Sequence, residues 1–328
     1  MRLRRSDPGK PGYARRRRGR GFTYHGPDGR PITHPAELAR LRDLVIPPAW
    51  RDVWICPDPR GHIQATGIDA AGRKQYLYHA EWRAKRDRAK FDHVLEVAAR
   101  LPRLRRRVAA DLGGRGLPRD RVLATIARLL DLGLFRVGGD EYANGDEPTY
   151  GVTTLRPEHA ICDRRGVTFE YPAKGALERV QTITDERACA VLRALRRRRD
   201  GADRLFAYWA GRRWRDVRSD DVNAYLREAS RGEMTAKDFR TWHGTVLAAT
   251  ELAAEGPHGS ASRQKRVIAR TMREVAELLG NTPTVARASY VDPRVLDLYR
   301  DRTVARIGPG ATRQAAEKAV LELLSSRD

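Results

Sequence analysis

The feature that most constrains the fold is a change in hydrophobic periodicity at about Lys90. From Gly21 to Lys90, short runs of aromatic and β-branched residues are separated by turn signals such as Pro27-Asp28-Gly29, a pattern typical of antiparallel strands. A single predicted helix, near Pro35 to Leu44, interrupts this pattern. The region is therefore predicted to form a small N-terminal antiparallel β domain, residues 21–88.

Beyond Lys90 the apolar residues recur with the 3.6-residue spacing of amphipathic helices. The spacing is clear over Phe91–Asp111 and Pro118–Leu132, and a strand-rich island from His159 to Thr184 interrupts it. The sequence therefore predicts an α+β fold, in which residues 89–328 form a larger, mainly helical domain with a small β-sheet.

The first 20 residues carry nine basic side chains and one acidic side chain, with glycine and proline interspersed. Such a composition is typical of a segment that cannot bury a core. Residues 1–20 are predicted to be a disordered basic arm, which either contacts phosphates or only aids solubility.

The whole chain is strongly basic, with 64 Lys and Arg against 42 Asp and Glu and a formal net charge of +22. This balance favours a polyanionic partner, and nucleic acid is the first candidate, with a membrane surface as the rival. No apolar stretch of about 18 residues is present to span a bilayer, and the N-terminus lacks the apolar core of a signal peptide. The three widely spaced cysteines favour a reducing compartment over a disulfide framework or a zinc site. We expect a cytoplasmic, nucleoid-associated protein.

The segment that ends at Tyr290 can hold a tyrosine hydroxyl in a fixed place. A predicted helix stops at Gly280, and a second, short helix follows, with Thr282 as its cap and Pro283 in its first turn. Pro293 prevents that helix from continuing far past Tyr290. Alone, this tyrosine has the ordinary interpretation of an amphipathic core residue; with suitable partners it is a candidate nucleophile.

Cleaving a phosphodiester without a metal requires a nucleophile, cations near the non-bridging oxygens and a proton donor for the leaving oxygen. Arg136 follows a predicted helix stop, and Arg240 lies early in a predicted helix, where amide dipoles add to its charge. Lys174 lies on a turn between predicted strands and is the only lysine between Lys90 and Lys237. A lysine can give up a proton, whereas an arginine is in practice always charged. Taken singly, each cation could equally be a solvated surface residue.

Several segments resemble, in the right order, the poxvirus-like type IB DNA topoisomerases, specifically their bacterial branch. The resemblance runs from about Phe22 to Tyr299 and implies the catalytic fold that tyrosine recombinases share with these enzymes. It also implies a monomer that closes as a clamp around duplex DNA, without metal or other cofactor. The segments that carry it are IPPAWRDVWICPDPRGHIQATGIDAAGRKQYLYH (46–79), LDLGLFRVGGDEYA (130–143), TAKDFRTWHGT (235–245) and LLGNTPTVARASY (278–290).

The resemblance implies a role for each candidate. Tyr290 would attack the scissile phosphate and form a 3'-phosphotyrosyl bond, while Arg136 and Arg240 neutralise the transition state. Lys174 would protonate the leaving 5'-oxygen. The opened strand could then swivel and be resealed by simple reversal, which relaxes supercoils without ATP.

Three features of the sequence differ from the family pattern. Viral members have a histidine where this chain has Asn281, whose amide can donate a hydrogen bond but brings no charge, so we assign it transition-state stabilisation without acid–base work. His243, three residues after Arg240 on the same helical face, either supplies part of the missing imidazole function or is packed or solvated. Lys174 keeps its place, but its loop reads Tyr-Pro-Ala-Lys-Gly-Ala where relatives have Gly-Lys-Ser-Gly.

The N-terminal domain carries candidate DNA contacts. Strand alternation places Gln75 opposite Tyr76 and sends Tyr76 and Tyr78 to one face, and viral relatives use the matching Gln-Tyr-x-Tyr for DNA. Arginine and tyrosine can hold phosphates, and glutamine can read adenine. The alternative is an ordinary half-buried strand. We assign DNA binding to Arg73, Gln75, Tyr76, Tyr78 and Tyr142.

Two other functions are open at this point. A tyrosine recombinase would use the same nucleophile and cations, but such enzymes typically carry His-x-x-Arg, and the residue three before Arg240 is Lys237. A non-catalytic DNA-packaging protein would need only the charge. That alternative leaves the ordered set of Arg136, Lys174, Arg240, Asn281 and Tyr290 unexplained.

Overall fold

The computed structural model describes residues 2–144, 147–173, 175, 177–198 and 203–326. The chain divides into two compact units between Phe91 and Asp92. The boundary predicted from the sequence lies after residue 88. The α+β class is confirmed, because an antiparallel sheet precedes a mainly helical region.

The N-terminal unit is built on an antiparallel sheet of strand order β2-β1-β3-β4-β5. Leu41, on the helix that follows β2, packs with Ile55 and Ala65 in the core of this unit, and all three are fully buried. The elements are β1 (Tyr13–Arg18), β2 (Gly21–His25), α1 (Pro35–Asp43), β3 (Arg51–Ile55), β4 (Ile63–Ile68) and β5 (Lys74–Tyr78).

The structure differs from the disordered arm predicted for residues 1–20 over Tyr13–Arg18, which form a strand. Its basic run forms β1, which pairs with β2 through a tight turn at Gly19 (φ +57°) and with β3 on its other edge. Arg15 explains why charge did not prevent folding. Its guanidinium donates to the carbonyl oxygens of Ile46, Pro47 and Trp50 at 2.7–2.9 Å. The charge is thus used to satisfy backbone acceptors, a pairing that composition does not reveal.

The C-terminal unit is mainly helical, with α3 at its centre. The periodic residues of α3, among them Val122, Leu123 and Ile126, are fully buried, as the helical spacing predicted. The helices are α2 (Ala80–Leu112), α3 (Arg119–Gly133), α4 (Asp140–Ala143), α5 (Glu186–Arg196), α6 (Ser219–Ser230), α7 (Ala236–Glu255), α8 (Ala261–Leu279), α9 (Pro283–Ser289), α10 (Pro293–Arg300) and α11 (Arg313–Ser325).

Two small antiparallel sheets accompany these helices. The predicted strand island forms a sheet of order β6-β7-β8, whose inward face buries Phe169 and Tyr171. A hairpin of β9 and β10 was not predicted from the sequence. The strands are β6 (Ala160–Cys162), β7 (Val167–Ala173), β8 (Leu177–Ile183), β9 (Ala207–Ala210) and β10 (Arg213–Asp216).

The segment before Tyr290 folds as the sequence predicts. Helix α8 ends at Gly280, which has the left-handed conformation (φ +59°, ψ +55°), and the Thr282 side chain caps α9 by accepting from the amide of Val285. Tyr290 is the residue that ends α9. Within the part of the chain that the structure describes, no helix is both long and apolar enough to cross a membrane.

Candidate active site

Helix α7 holds the backbone of Tyr290. The hydroxyl of Thr245 donates to the carbonyl oxygen of Tyr290 at 3.3 Å and accepts from the amide of Asp292 at 3.1 Å. Gly244 allows this close approach, because a Cβ there would lie 2.8 Å from the same carbonyl oxygen. The phenol ring is half-buried against the core, so its direction is set by α7 as well as by α9.

Arg240, one turn before Gly244, lies beside the phenol. Its guanidinium carbon is 5.1 Å from the centroid of the Tyr290 ring, and the residue is only 4% exposed. Two of its nitrogens are held by backbone: Nη1 donates to the Leu134 carbonyl at 2.6 Å and Nη2 to the Leu279 carbonyl at 2.7 Å. Among the residues that the structure describes, its buried Nε has no hydrogen-bond partner. The two backbone bonds thus fix the side chain in place.

Arg136 joins the same place from the segment after α3. Its Nη2 donates to the Gly280 carbonyl at 3.0 Å and to Oδ1 of Asn281 at 2.8 Å. The amide nitrogen of Asn281 makes a longer contact, 3.4 Å, with the Leu279 carbonyl. The end of α8 therefore anchors both arginines, although Arg136 and Arg240 lie in different segments of the chain.

The site is electropositive and partly desolvated. Burial lowers the pKa of Arg240 and of Arg136, and for both the negative charge that Tyr290 acquires when it loses its proton would act in the opposite direction. An arginine loses its proton only at strongly basic pH, so both side chains keep their charge at neutral pH. Guanidiniums in a partly buried position interact with an anion more strongly than surface cations do.

Arg179 is a further cation that the sequence did not single out. It lies on β8, and its Nη2 donates to the Leu278 carbonyl at 3.0 Å, beside the cap that holds Arg136. Its charge contributes to lowering the pKa of both Arg136 and Arg240. No local pattern marks it among so many arginines. Gly244 and Thr245, by contrast, stand within the conspicuous segment that carries Arg240.

Lys174 lies outside the described residues, and its assignment stays a prediction. The strands that flank its loop, β7 and β8, are paired from Val167↔Ile183 to Ala173↔Leu177.

His243 is packed, which decides between the two interpretations that the sequence left open. It is 6% exposed, and its Nε2 lies 3.1 Å from Oδ1 of Asp131 and 2.6 Å from Nη2 of Arg313. Burial is the main cause that lowers its pKa. Its partners are the buried carboxylate of Asp131 on α3 and the more exposed guanidinium of Arg313 on α11.

The predicted DNA contacts of β5 alternate as expected, with Tyr76 and Tyr78 exposed on one face and their rings stacked 6.1 Å apart. Arg73 and Gln75 are both bonded to the Asp69 carboxylate, so they are held close to the strand. Tyr142, on α4 of the other unit, is 50% exposed.

A metal site was not expected. In the described ranges, no group of three or more His, Cys, Asp or Glu is arranged so that it could hold an ion. Among the described residues, Arg136, Arg179 and Arg240 are cations that converge near the end of α8.

Comparison with known proteins agrees with this picture. The family described as eukaryotic DNA topoisomerase I, catalytic core, matches residues 79–305. The family described as bacterial DNA topoisomerase IB, N-terminal domain, matches residues 21–69. The chain is also 28% identical over 298 residues to DNA topoisomerase 1B of Acanthamoeba polyphaga mimivirus, a match that covers 88% of each chain. The resemblance stated from the motifs is thereby confirmed, and the chain belongs to the eukaryotic-type DNA topoisomerase I family, as a type IB DNA topoisomerase.

Proposed function

We propose that this protein relaxes supercoiled duplex DNA by opening one strand through a transient 3'-phosphotyrosyl bond at Tyr290. The observation that carries the proposal is the convergence of Arg240, Arg136 and Asn281 around the end of α8, with Arg240 against the Tyr290 ring. These side chains belong to one chain, so a monomer suffices for the chemistry.

The cleavage step can be written with these groups. The phenol oxygen of Tyr290 gives its proton to water as it attacks phosphorus. The bond from phosphorus to the 5'-oxygen breaks, and that oxygen takes up the proton that Lys174 supplies. The two guanidiniums stabilise the charge that develops on the non-bridging oxygens. Preorganised donors of this kind act where the charge appears, and the bonds to the Leu134 and Leu279 carbonyls hold the Arg240 guanidinium in one orientation.

Asn281 supports this step without taking part in proton transfer. Its Oδ1 accepts from Arg136, which orients that guanidinium, and its amide nitrogen can donate to a phosphate oxygen. Lys174 is proposed as the donor of the proton to the 5'-oxygen, because an ammonium can release and recover a proton, which an arginine does not do.

The energy of the broken phosphoester bond is retained in this cycle, because a phosphotyrosyl ester replaces it. Religation by the free 5'-hydroxyl reverses each step, so neither ATP nor a metal is required. Between the two steps the free end can swivel, which removes supercoils of either sign.

The N-terminal unit is proposed to contribute to DNA binding through the stacked, exposed pair of Tyr76 and Tyr78. Such a pair can contact sugars and phosphates without reading sequence. Arg73 and Gln75 would need to exchange their bonds with Asp69 for bonds to DNA.

Plasmid relaxation with EDTA present and without ATP tests the proposal. We expect the wild-type chain to relax the plasmid and to become covalently attached to DNA when a denaturant traps the cleaved state. Tyr290→Phe should bind DNA with unchanged affinity but show neither activity. Relaxation by Tyr290→Phe would refute the assignment of the nucleophile.

The same experiments separate the alternatives. A packaging protein would shift DNA in a gel but leave supercoiling unchanged after deproteinisation. A recombinase would join strands of two different duplexes, a product that size analysis detects. No relaxation and no covalent complex with the wild-type chain would refute the topoisomerase mechanism proposed here.

A further inference from the structure

Two side-chain interactions, one helical turn apart on α7, connect α7 to α3. Each is called a tie below. Arg240 Nη1 donates to the Leu134 carbonyl at 2.6 Å, just after the end of α3. His243, one turn later on α7, lies 3.1 Å from the carboxylate of Asp131, one turn earlier on α3. The two ties run in register along a pair of packed helices. A change at the second tie therefore shifts the first, which holds Arg240.

Asp131 is the centre of a buried charge network. It is 4% exposed, and its carboxylate accepts from Nε and Nη2 of Arg105, on α2, at 2.8 and 2.9 Å. Arg313, the first residue of α11, donates to the same carboxylate at 2.9 Å and to the backbone carbonyl of Asp131 at 2.6 Å. Arg128 is a more distant cation, 4.0 Å away. Buried carboxylates need such partners, because an unpaired buried charge is costly.

Glu317, on the next turn of α11, closes the network. It is 8% exposed and binds both guanidiniums, Arg105 at 2.6 and 2.8 Å and Arg313 at 3.1 Å. It also lies 3.7 Å from Nδ1 of His243. The carboxylates of Asp131 and Glu317 thus face the close guanidiniums of Arg105 and Arg313 around the imidazole of His243. Helix α11 supplies one carboxylate, from Glu317, and one guanidinium, from Arg313.

Helix α11 lies beyond the family match, which ends at residue 305. We propose that α11 is a positioning element for the catalytic arginine: through Arg313 and Glu317 it holds the Asp131–His243 tie, and thereby the register of α7 against α3 in which Arg240 meets Tyr290. The inference rests on the function proposed above. One part of it does not depend on the reaction, namely that α11 keeps α7 rigid.

The physical argument is that removal of one member leaves a buried charge without its partner. The network then relaxes by moving helices, and the nearest are α3 and α7. A displacement of about 1 Å at a catalytic group lowers a rate on the order of 10²-fold. Asp131, His243 and Glu317 are buried, whereas the side chain of Arg313 is 39% accessible, so the exposed Lys318 on the same helix serves as the control for any effect on DNA binding.

The test compares Arg313→Ala and Glu317→Gln with Lys318→Ala, an exposed control on the same helix whose side chain is 78% accessible. Trapped covalent complex is measured in a single turnover with excess enzyme, at a temperature where circular dichroism shows every variant folded. We expect Arg313→Ala and Glu317→Gln to cleave about 10- to 100-fold more slowly than wild type, with unchanged DNA affinity. Arg313→Lys, which keeps the charge, should recover part of the rate. The control should match wild type.

Hydrogen exchange provides a readout that does not need DNA cleavage. In Arg313→Ala, amides of residues 236–244 should exchange faster than in wild type, while those of α1 stay unchanged. Wild-type cleavage rates in folded Arg313→Ala and Glu317→Gln would overturn the inference, as would unchanged exchange in α7. A wild-type chain that does not cleave DNA would instead reject the proposed function, and the exchange result would still decide whether α11 holds α7.

Discussion

A Cβ atom on Gly244 would lie 2.8 Å from the carbonyl oxygen of Tyr290. This contact is with backbone, which cannot rotate away as a side chain would. The segment that carries the proposed nucleophile must therefore move if any side chain is placed on this turn of α7.

Gly244→Ala should consequently impair cleavage without weakening DNA binding. A helical alanine is intrinsically favourable, so the effect would come from displacement of Tyr290 and not from loss of helix. We expect the single-turnover cleavage rate to fall on the order of 10²-fold. Gly308→Ala is the matched control, since a Cβ there meets no atom within 4 Å. Equal rates for Gly244→Ala and wild type would show that Tyr290 tolerates the shift.

Arg240→Lys should behave almost like Arg240→Ala. Arg240 donates at once to the carbonyls of Leu134 and Leu279. A lysine has a single nitrogen and cannot reproduce this fork. We expect a loss of about 10²- to 10³-fold in cleavage rate for either variant, as for other preorganised donors. Arg270→Lys, at an exposed ion pair with Glu255, is the control. Near-normal cleavage by Arg240→Lys would show that charge alone matters.

Asn281 offers a test of neutral against charged donors. Asn281→Ala removes the acceptor that orients Arg136, and Asn281→Asp keeps an acceptor but adds negative charge where a phosphate must bind. We therefore expect Asn281→Asp to be the slower of the two in trapped-complex assays. Asn281→His should gain a dependence of cleavage on pH near 6.5, the ordinary pKa of an imidazole, that wild type lacks. If the pH dependence of cleavage by Asn281→His equals that of wild type, this prediction is contradicted.

The buried His243 predicts how stability depends on pH. Burial lowers its pKa in the folded chain, so the unfolded chain binds a proton first as the pH falls. The groups that face it are Asp131 from α3, and Arg313 and Glu317 from α11. Its contribution to stability is complete above about pH 6.5, the unfolded value, and is lost as the pH falls toward the lowered folded value.

His243→Gln should remove that part of the pH dependence. Glutamine can still bond to Asp131 but does not titrate, so the difference in free energy of unfolding between wild type and variant should narrow as the pH falls below 6.5. Urea unfolding of both proteins at several pH values measures this difference in free energy. His159, whose pKa burial also lowers, is common to both proteins and cancels in the comparison. A constant difference across this range would show that the pKa of His243 is the same in the folded and unfolded chains, which contradicts the prediction.

The α+β division, the helices of the C-terminal unit and the ordered set of candidate residues could be predicted from the sequence. Local rules suffice for these, because hydrophobic period, caps and turn residues act within a few positions. The two helices that end at Tyr290 follow from Gly280, Thr282 and Pro283 alone.

What only the tertiary structure decided are the pairings between distant residues. The composition predicted that the segment around Arg15 is disordered. In the structure this segment is ordered, because Arg15 donates to carbonyl oxygens about 30 residues away, which no local pattern reveals. His243, ambiguous by sequence, is fixed by Asp131 and by Arg313, which come from opposite ends of the catalytic unit. Burial and charge compensation depend on which groups meet in space. A one-dimensional pattern identifies the groups, and the fold determines their partners.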